Sequence, residues 1–588
     1  MPLIFLVWVV LGWLQIVAAD AGGAGEFFNG LLNHHATTAH SFLRFSILQD
    51  YYSSSMNFLR LQSTDRFEQF FLLIACCIFL LVAFSINFQL TAGLDWPYDV
   101  DHMRDIGAAQ SILDGNWPAD PFYLGEGAWY PPLMPAVLAA LSAATGMELP
   151  TLAARTPAFI NLLSPITFTF MTWRLLGARV ASVSLAAFLF MIYSAGQSSW
   201  FQLYSPWGFP IFSMLPFLFL GVVLVDFVTN SKRTIVWLYS GAFVGFSYLA
   251  HTAIALLLLT LFASSLVGAL MFSRQLLRDA FIKLLLFAIG FLIFASPFLA
   301  STFFRYFHGP LNLAPQNWLD PVTTNSSIST PFFIAIVFAV PGAMFLWKGR
   351  RLCGGTLLIF KLTGWSVFFF AWAQTSCTAF SNEERSLLPS LMPSFHFLLF
   401  ICSSIAILFS VGLIGIVESL VPKSFPEALK KSGLGAVVLL LIIFSLYTNK
   451  PWEASNWQRQ GSLALMSDDR EKLYHWILEN SDPNTVYSAN TFELAELMVM
   501  PAGRKLVAMT NPYFSNPFVS WDKKSKLNTE LWKSLINGES DKIAMNLSQA
   551  GAEYLLDTID NAPLVEAQQT GLISLVNEIG RFRIYRVL

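Results

Sequence analysis

Seven acids and one arginine stand between Thr91 and Tyr130: Asp95, Asp99, Asp101, Asp105, Asp114, Asp120 and Glu126 against Arg104. Apolar stretches flank this loop, so its carboxyls sit at a lipid–water boundary. A partly desolvated carboxylate there is a better proton acceptor than one in bulk water and can act as a general base toward a hydroxyl. Within the loop, Asp101 to Gly115 reads as an amphipathic helix lying along the interface, with Met103, Ile106, Ala109 and Leu113 on one stripe and Gly115 as its stop. Asp101 falls at the start of that helix. As an N-cap it would accept the free N–H groups of the first turn, with Asp105 adding to the dipole interaction. As a base it would face the membrane surface, and the two roles are compatible. His102, Asp99 and Asp101 could together meet a divalent cation, but they match no firm metal motif. The sequence implies no certain cofactor and no metal site.

These residues need a scaffold, and composition says what kind. Of 588 residues, 55% are hydrophobic, 15% aromatic and only 12% charged. An ordinary globular chain carries about 25% charged residues. The net charge of -2 offers no basic excess for a nucleic-acid partner. Five cysteines lie mostly in apolar runs without paired spacing, which points to helix packing and away from disulfides or zinc.

A membrane core needs roughly 20 apolar residues per helix. Such runs cover approximately 69–89, 157–177, 180–196, 207–228, 235–251, 252–272, 281–303, 331–347, 354–374, 387–418 and 433–448. Residues 2–18 add an apolar run that reads as an uncleaved extra helix, with a signal peptide as the other reading. The expected fold is a polytopic α-helical membrane protein of about 11–13 membrane helices with a C-terminal soluble α/β domain. Its parts are residues 1–68 as a helix and linker, 69–448 as the transmembrane domain with the loop 90–156, and 449–588 as the soluble domain.

Basic clusters orient the bundle. If the segment from Tyr130 to Gly146 lies on the surface and does not span, Arg60 with Arg66, Arg174 with Arg179, Lys232 with Arg233, and the later clusters all fall on one face. That face is cytoplasmic by the positive-inside rule. The loop 90–156 and residues 449–588 are then extracytoplasmic, in an integral protein of the inner (plasma) membrane. In the tail, Ser467 followed by Asp468 and Asp469 opens a helix that places Leu473, Trp476 and Ile477 on one face. Short strands are expected at 485–488, 505–509, 553–556 and 582–587, with helical stretches at 491–499 and 527–549.

The loop and its surroundings resemble the GT-C glycosyltransferases, in the branch of protein O-mannosyltransferases and the transferase that adds aminoarabinose to lipid A. The residues that carry the resemblance are, in order, Asp101, Ile112-Leu113-Asp114-Gly115, Tyr130-Pro-Pro-Leu133, Ala144-Thr145-Gly146 and Ala153-Ala154-Arg155. Later, Asn382-Glu-Glu-Arg385-Ser-Leu-Leu-Pro389 is similar to the family's Arg-Leu-x-Pro at the mouth of a span. The resemblance implies a GT-C-like bundle and a glycosyltransferase that moves a monosaccharide, with inversion, from a polyprenyl-phosphate donor to a hydroxyl of a glycan, lipid or protein. It makes Asp101 the catalytic base. The residue after Asp101 is His102 where the branch has Glu, so Asp99 stands as the second candidate.

A lipid phosphate needs cations on a face that otherwise has few. Arg385 can hold phosphate bidentately, unless it pairs with Glu383 or Glu384. Arg305 is a second candidate, although a span-end arginine also reaches toward headgroups. His308, His102, Glu384 and Tyr130 complete the expected substrate-binding set. His251, which interrupts an apolar stretch, is a functional candidate or a histidine bonded to a neighbouring carbonyl. A transporter would concentrate paired ionisable groups inside the spans. Apart from His396, Asp226 and Lys361 the spans are nearly uncharged, which argues against ion coupling and leaves a non-catalytic membrane scaffold as the other alternative. Asn325-Ser-Ser and Asn546-Leu-Ser have the form of glycosylation acceptors.

Overall fold

The computed structural model describes residues 66–97, 99–193, 209–273, 277–305, 312, 330–348, 354–380, 394–421, 424–450, 467–561 and 564–588. The apolar run 2–18 and Asn325 lie outside the described residues. Helix α1 (Arg66–Thr91) enters the loop, which holds α2 (Val100–Leu113), α3 (Leu133–Thr145), α4 (Leu149–Arg155) and the single turn α5 (Pro157–Ile160). The bundle continues through α6 (Leu163–Leu176), α7 (Ala178–Ala186, running on as a π-helix Ala187–Ile192), α8 (Phe209–Asn230), α9 (Val236–Ala250) and α10 (Thr252–Ser273). It closes with α11 (Leu277–Arg305), α12 (Thr330–Lys348), α13 (Gly355–Phe380), α14 (Phe395–Leu420) and α15 (Glu427–Asn449).

Among the described residues, five helices are long and apolar enough to cross a membrane, and five further apolar stretches have 10–17 residues. The chain is a polytopic α-helical membrane protein. Without a hydrophobic force between helices in lipid, small residues let backbones approach. Gly342 of α12 and Gly412 of α14 do this reciprocally, since a Cβ on either would meet the partner helix's carbonyl at 1.8 and 2.0 Å. Helix α3 stands at 113° to the course of α4–α6, so the Tyr130 segment does not run straight into the next span.

The C-terminal region is an α/β unit: α16 (Asp468–Asn480), β1 (Val486–Ala489), a π-helical turn (Glu493–Val499), β2 (Lys505–Leu506), a 3-10 turn (Pro512–Phe514), α17 (Trp521–Asn537), α18 (Ser540–Ala550), β3 (Tyr554–Thr558), α19 (Val565–Gln569), β4 (Ile573–Ile579) and β5 (Phe582–Val587). The sheet order is β2-β1-β3-β5-β4, with β1 parallel to β2 and β3, and β5 antiparallel to β3 and β4. Ser467 caps α16, accepting the Arg470 N–H, and Leu473 and Ile477 are buried as the sequence pattern predicts. Two expectations change. The stretch 527–549 is two helices, split where Gly538 takes φ +66 and ends α17. Strand β4 is an additional, half-exposed strand at the sheet edge. Asn546 is buried and donates to the Ser534 hydroxyl at 3.3 Å, so its glycosylation triplet is closed off in the fold.

The loop and the C-terminal unit share one hydrophobic core. Met103, Ile106 and Ala109 of α2 pack with Phe122 and Tyr123 of the loop and with Leu473, Met498 and Met500 from the C-terminal unit. Gly107 marks the closest approach, because a Cβ there would stand 1.9 Å from the Met500 carbonyl oxygen. Polar ties flank this contact. Arg504 pairs with Asp114 at 2.7 Å, the Leu506 N–H donates to the Phe122 carbonyl at 2.8 Å, and Asn516 donates to Asp120 at 2.8 Å. Asn312, from the segment after α11, donates to the carbonyls of Pro512 and Pro517, both at 2.9 Å. Gly107→Val is therefore expected to undo the docking, at a cost of about 3 kcal/mol or more for a side chain forced against backbone. Thermal unfolding of the purified protein should shift down and limited proteolysis should release a C-terminal fragment; a variant as stable and resistant as the parent would contradict the contact.

Candidate functional site

The helix that carries the acids is not laid out along an open surface. Its apolar stripe is buried under the C-terminal unit together with His102, and Asp101, Arg104 and Asp105 on another side are buried too. Leu113, expected on the buried stripe, is 41% exposed at the helix end. The capping assignment also moves by two residues. Asp99, extended at φ -106 and ψ 145, is the N-cap and accepts the Asp101 N–H at 2.8 Å. Two acids at i and i+2 both suit a helix start, and only the backbone turn decides between them. Asp101 is thereby released from capping, and its carboxylate turns to a side-chain partner.

That partner is Arg104, one helical turn on, which donates Nη1–H to Asp101 Oδ1 at 2.9 Å. The same guanidinium reaches Asp105 Oδ1 through Nε and Nη2, each at 3.3 Å, and lies 3.7 Å over the centre of the Tyr130 ring. One cation thus anchors two carboxylates on one side and a π face on another, the arrangement that a weakly hydrated, planar guanidinium tolerates in a buried place. Tyr513, from the 3-10 turn of the C-terminal unit, is close enough to interact electrostatically with Asp101, Arg104 and Asp99. The turn is held by Glu496, which accepts the N–H groups of Thr510 and Asn511 at 2.6 and 2.9 Å and the Thr510 hydroxyl at 2.8 Å.

Burial sets the proton affinities. It drives the Asp99 carboxyl well above the ordinary carboxylate range, and the neighbouring Asp101 charge adds to the rise. Asp101 is also raised by burial, with Arg104 pulling against the rise through its charge and its hydrogen bond. Asp105 is pushed up to about 7 by burial despite the same arginine. His102 is lowered to about 3, first by burial and then by Arg104, so its ring is neutral at physiological pH and supplies no positive charge. Among the three acids, Asp101 has the shortest bond to the cation and is the one best kept charged.

The structure brings Asp101 and Tyr130 together around Arg104, with Asp99 capping the same helix and His102 buried on its apolar side. Arg104, the one arginine between Thr91 and Tyr130, is a further member of the site. Its signal was present, because an acid and an arginine at i and i+3 share a helix face. Arg385, Glu384 and His308 lie outside the described residues, as does the side chain of Arg305. Among the described residues no group of three or more His, Cys, Asp or Glu stands together as a metal site. Arg155, in the Ala-Ala-Arg segment, donates to the Leu94 carbonyl at 2.8 Å and pairs with Asp95 at 2.5 Å, fastening the end of α4 to the start of the loop.

Solved membrane proteins of two kinds are similar to this chain. ArnT from Cupriavidus metallidurans, solved bound to undecaprenyl phosphate, is 15% identical, with a TM-score of 0.48 over 87% of this chain and 97% of ArnT. The archaeal oligosaccharyltransferase AglB from Archaeoglobus fulgidus, solved with an inhibitory peptide and a dolichol-phosphate, is 11% identical, with a TM-score of 0.48 over 84% of this chain and 70% of AglB. No protein-family profile matches the sequence. No curated protein matches it either.

Proposed function

We propose that this chain is an integral membrane glycosyltransferase that moves a monosaccharide, with inversion, from a polyprenyl-phosphate donor to an acceptor hydroxyl on the extracytoplasmic face. The observation that carries this reading is the buried Asp101–Arg104 pair at the head of α2, a base and a cation on one turn of a helix held between the bundle and the C-terminal unit. The acceptor oxygen attacks the anomeric carbon and gives its proton to Asp101. The carbon–oxygen bond to the phosphate breaks with its electron pair, and Arg104 meets the charge that the leaving phosphate gathers. A guanidinium carries five N–H donors, enough to serve both carboxylates and a phosphate oxygen. Arg385 is a candidate second cation, and Asp99 is the reserve base as well as the cap. Residues 1–68 form an N-terminal helix and linker, 69–448 the transmembrane domain with the loop 90–156, and 449–588 the extracytoplasmic domain.

A panel of undecaprenyl-phosphate monosaccharides, incubated with the full-length protein in nanodiscs, tests the reaction by release of undecaprenyl phosphate. The reading expects turnover of at least one donor, with the product sugar inverted at its anomeric carbon. No turnover of any donor and no binding of undecaprenyl phosphate would overturn it. Sidedness is tested by Lys526→Cys, at a position exposed on α17. An impermeant thiol reagent added to intact cells should label it, and protection until lysis would place the domain inside.

A pH profile reads the base. The reaction needs the Asp101 carboxylate, and burial raises its pKa above the ordinary 3.8. Turnover should then fall as pH drops through a value above that of a free aspartate. Arg104 lowers the Asp101 pKa, so a shortened Arg104 side chain should move this acid limb to still higher pH. An acid limb at or below the free-aspartate value would contradict the assignment.

A further inference from the structure

His251 sits where α9 ends and α10 begins, with an extended backbone at φ -168 and ψ 134 that breaks one helix from the next. A break among apolar helices leaves backbone N–H groups that must find partners. The histidine supplies one, because the Ala253 N–H donates to its Nδ1 at 3.2 Å. A ring nitrogen that accepts a hydrogen bond carries no proton, so the neutral imidazole must hold its proton on Nε2. The ring is 8% exposed and lies 4.7 Å from the ring of His396, which itself stacks on Phe395 at 4.0 Å.

Capping accounts for one nitrogen only. Nε2–H makes no hydrogen bond to any described residue, although the side chain is more than nine-tenths buried. A donor with no protein partner on so enclosed a ring calls for a group that can meet it. Its surroundings say what could. Helix α9 touches α3, the helix that the Tyr130-Pro-Pro-Leu133 segment leads into. The Arg104 guanidinium is near enough to act on the His251 ring electrostatically. A fixed, neutral N–H within the field of a buried guanidinium favours an anion that both can share.

We propose that His251 is a phosphate-binding residue, its Nε2–H donating to an oxygen of the lipid-linked phosphate that Arg104 holds. This rests on the donor class proposed above. Because the Ala253 N–H fixes the tautomer, the donor is set before the ligand arrives. It adds a hydrogen bond without adding a second positive charge, so the leaving phosphate is bound without being trapped.

The test titrates undecaprenyl phosphate into the full-length protein in nanodiscs. His251→Phe keeps a ring against His396 and removes the donor; its Kd should rise roughly ten- to a hundredfold, the range for a hydrogen bond to a charged group. His251→Gln returns an N–H at the ε position and should bind within a few-fold of the parent. In parallel, the 15N–1H resonance of the His251 Nε2–H in the unsubstituted protein should shift on saturation with undecaprenyl phosphate, a readout that does not depend on either variant folding. A parent that binds while His251→Phe binds equally well, or an unmoved His251 resonance at saturation, overturns the role of His251 alone. A parent that does not bind undecaprenyl phosphate overturns the donor class itself.

Discussion

Asp101→Asn is expected to lower sugar transfer by about 10²–10⁴-fold, the range for loss of a positioned general base. The substitution keeps the side chain's shape, and its amide oxygen can still accept the Arg104 Nη1–H that Asp101 Oδ1 now receives at 2.9 Å. Fold and lipid binding should therefore survive while proton acceptance is lost. Rates with a chosen undecaprenyl-phosphate sugar and Kd for undecaprenyl phosphate, measured on one preparation, separate the two. Asp99→Asn should be milder, because an asparagine still caps the helix. Full activity in both variants would remove the carboxylate mechanism.

Arg104→Met is expected to do two kinds of damage. It removes the cation proposed to hold phosphate, so Kd for undecaprenyl phosphate should rise and turnover should fall by about 10²-fold or more. It also leaves Asp101 and Asp105 buried with no arginine between them, a loss of about 3–5 kcal/mol when one partner of a buried pair is removed. The two effects are separable. Adding Asp105→Asn takes away one orphaned charge, and the double variant should regain thermal stability without regaining transfer. A double variant that recovers both would make Arg104 a structural residue only.

The sequence showed where chemistry was concentrated but not how it was arranged. Asp101 stood out as a candidate because seven acids crowd a short loop between apolar runs. The cap was misplaced by two residues because Asp99 and Asp101 have equal propensity, and the choice follows from the backbone turn at φ -106. The second buried face of α2 was not legible at all. The Tyr130 ring lies against Arg104 there and Tyr513 comes from the C-terminal unit, and no local period in α2 reports partners so distant. Gly107 carries the same lesson, since its lack of a side chain matters only once the Met500 carbonyl is against it.

The same physics divides what was read well elsewhere. Ser467 and its following acids gave the start of α16 correctly because a cap and a dipole act within one turn. Strand β4 escaped notice because an edge strand alternates weakly between buried and exposed positions. His251 stood out as an ionisable group in an apolar stretch, but its neighbour His396 belongs to α14 and only the packed bundle joins them. The soluble region reads as a separate unit by its charge. Its core nevertheless interlocks with the loop, through Phe122, Tyr123 and the α2 stripe, so the two parts hold the Asp101–Arg104 pair together.

The most direct test of the account is a structure of the full-length protein in nanodiscs with undecaprenyl phosphate bound. Phosphate density is expected within about 3 Å of the Arg104 guanidinium, hydrogen-bonding distance, beside Asp101 and with the lipid tail running into the bundle. Phosphate density bound away from Arg104 and Asp101, or no bound lipid at saturating concentration, would contradict it.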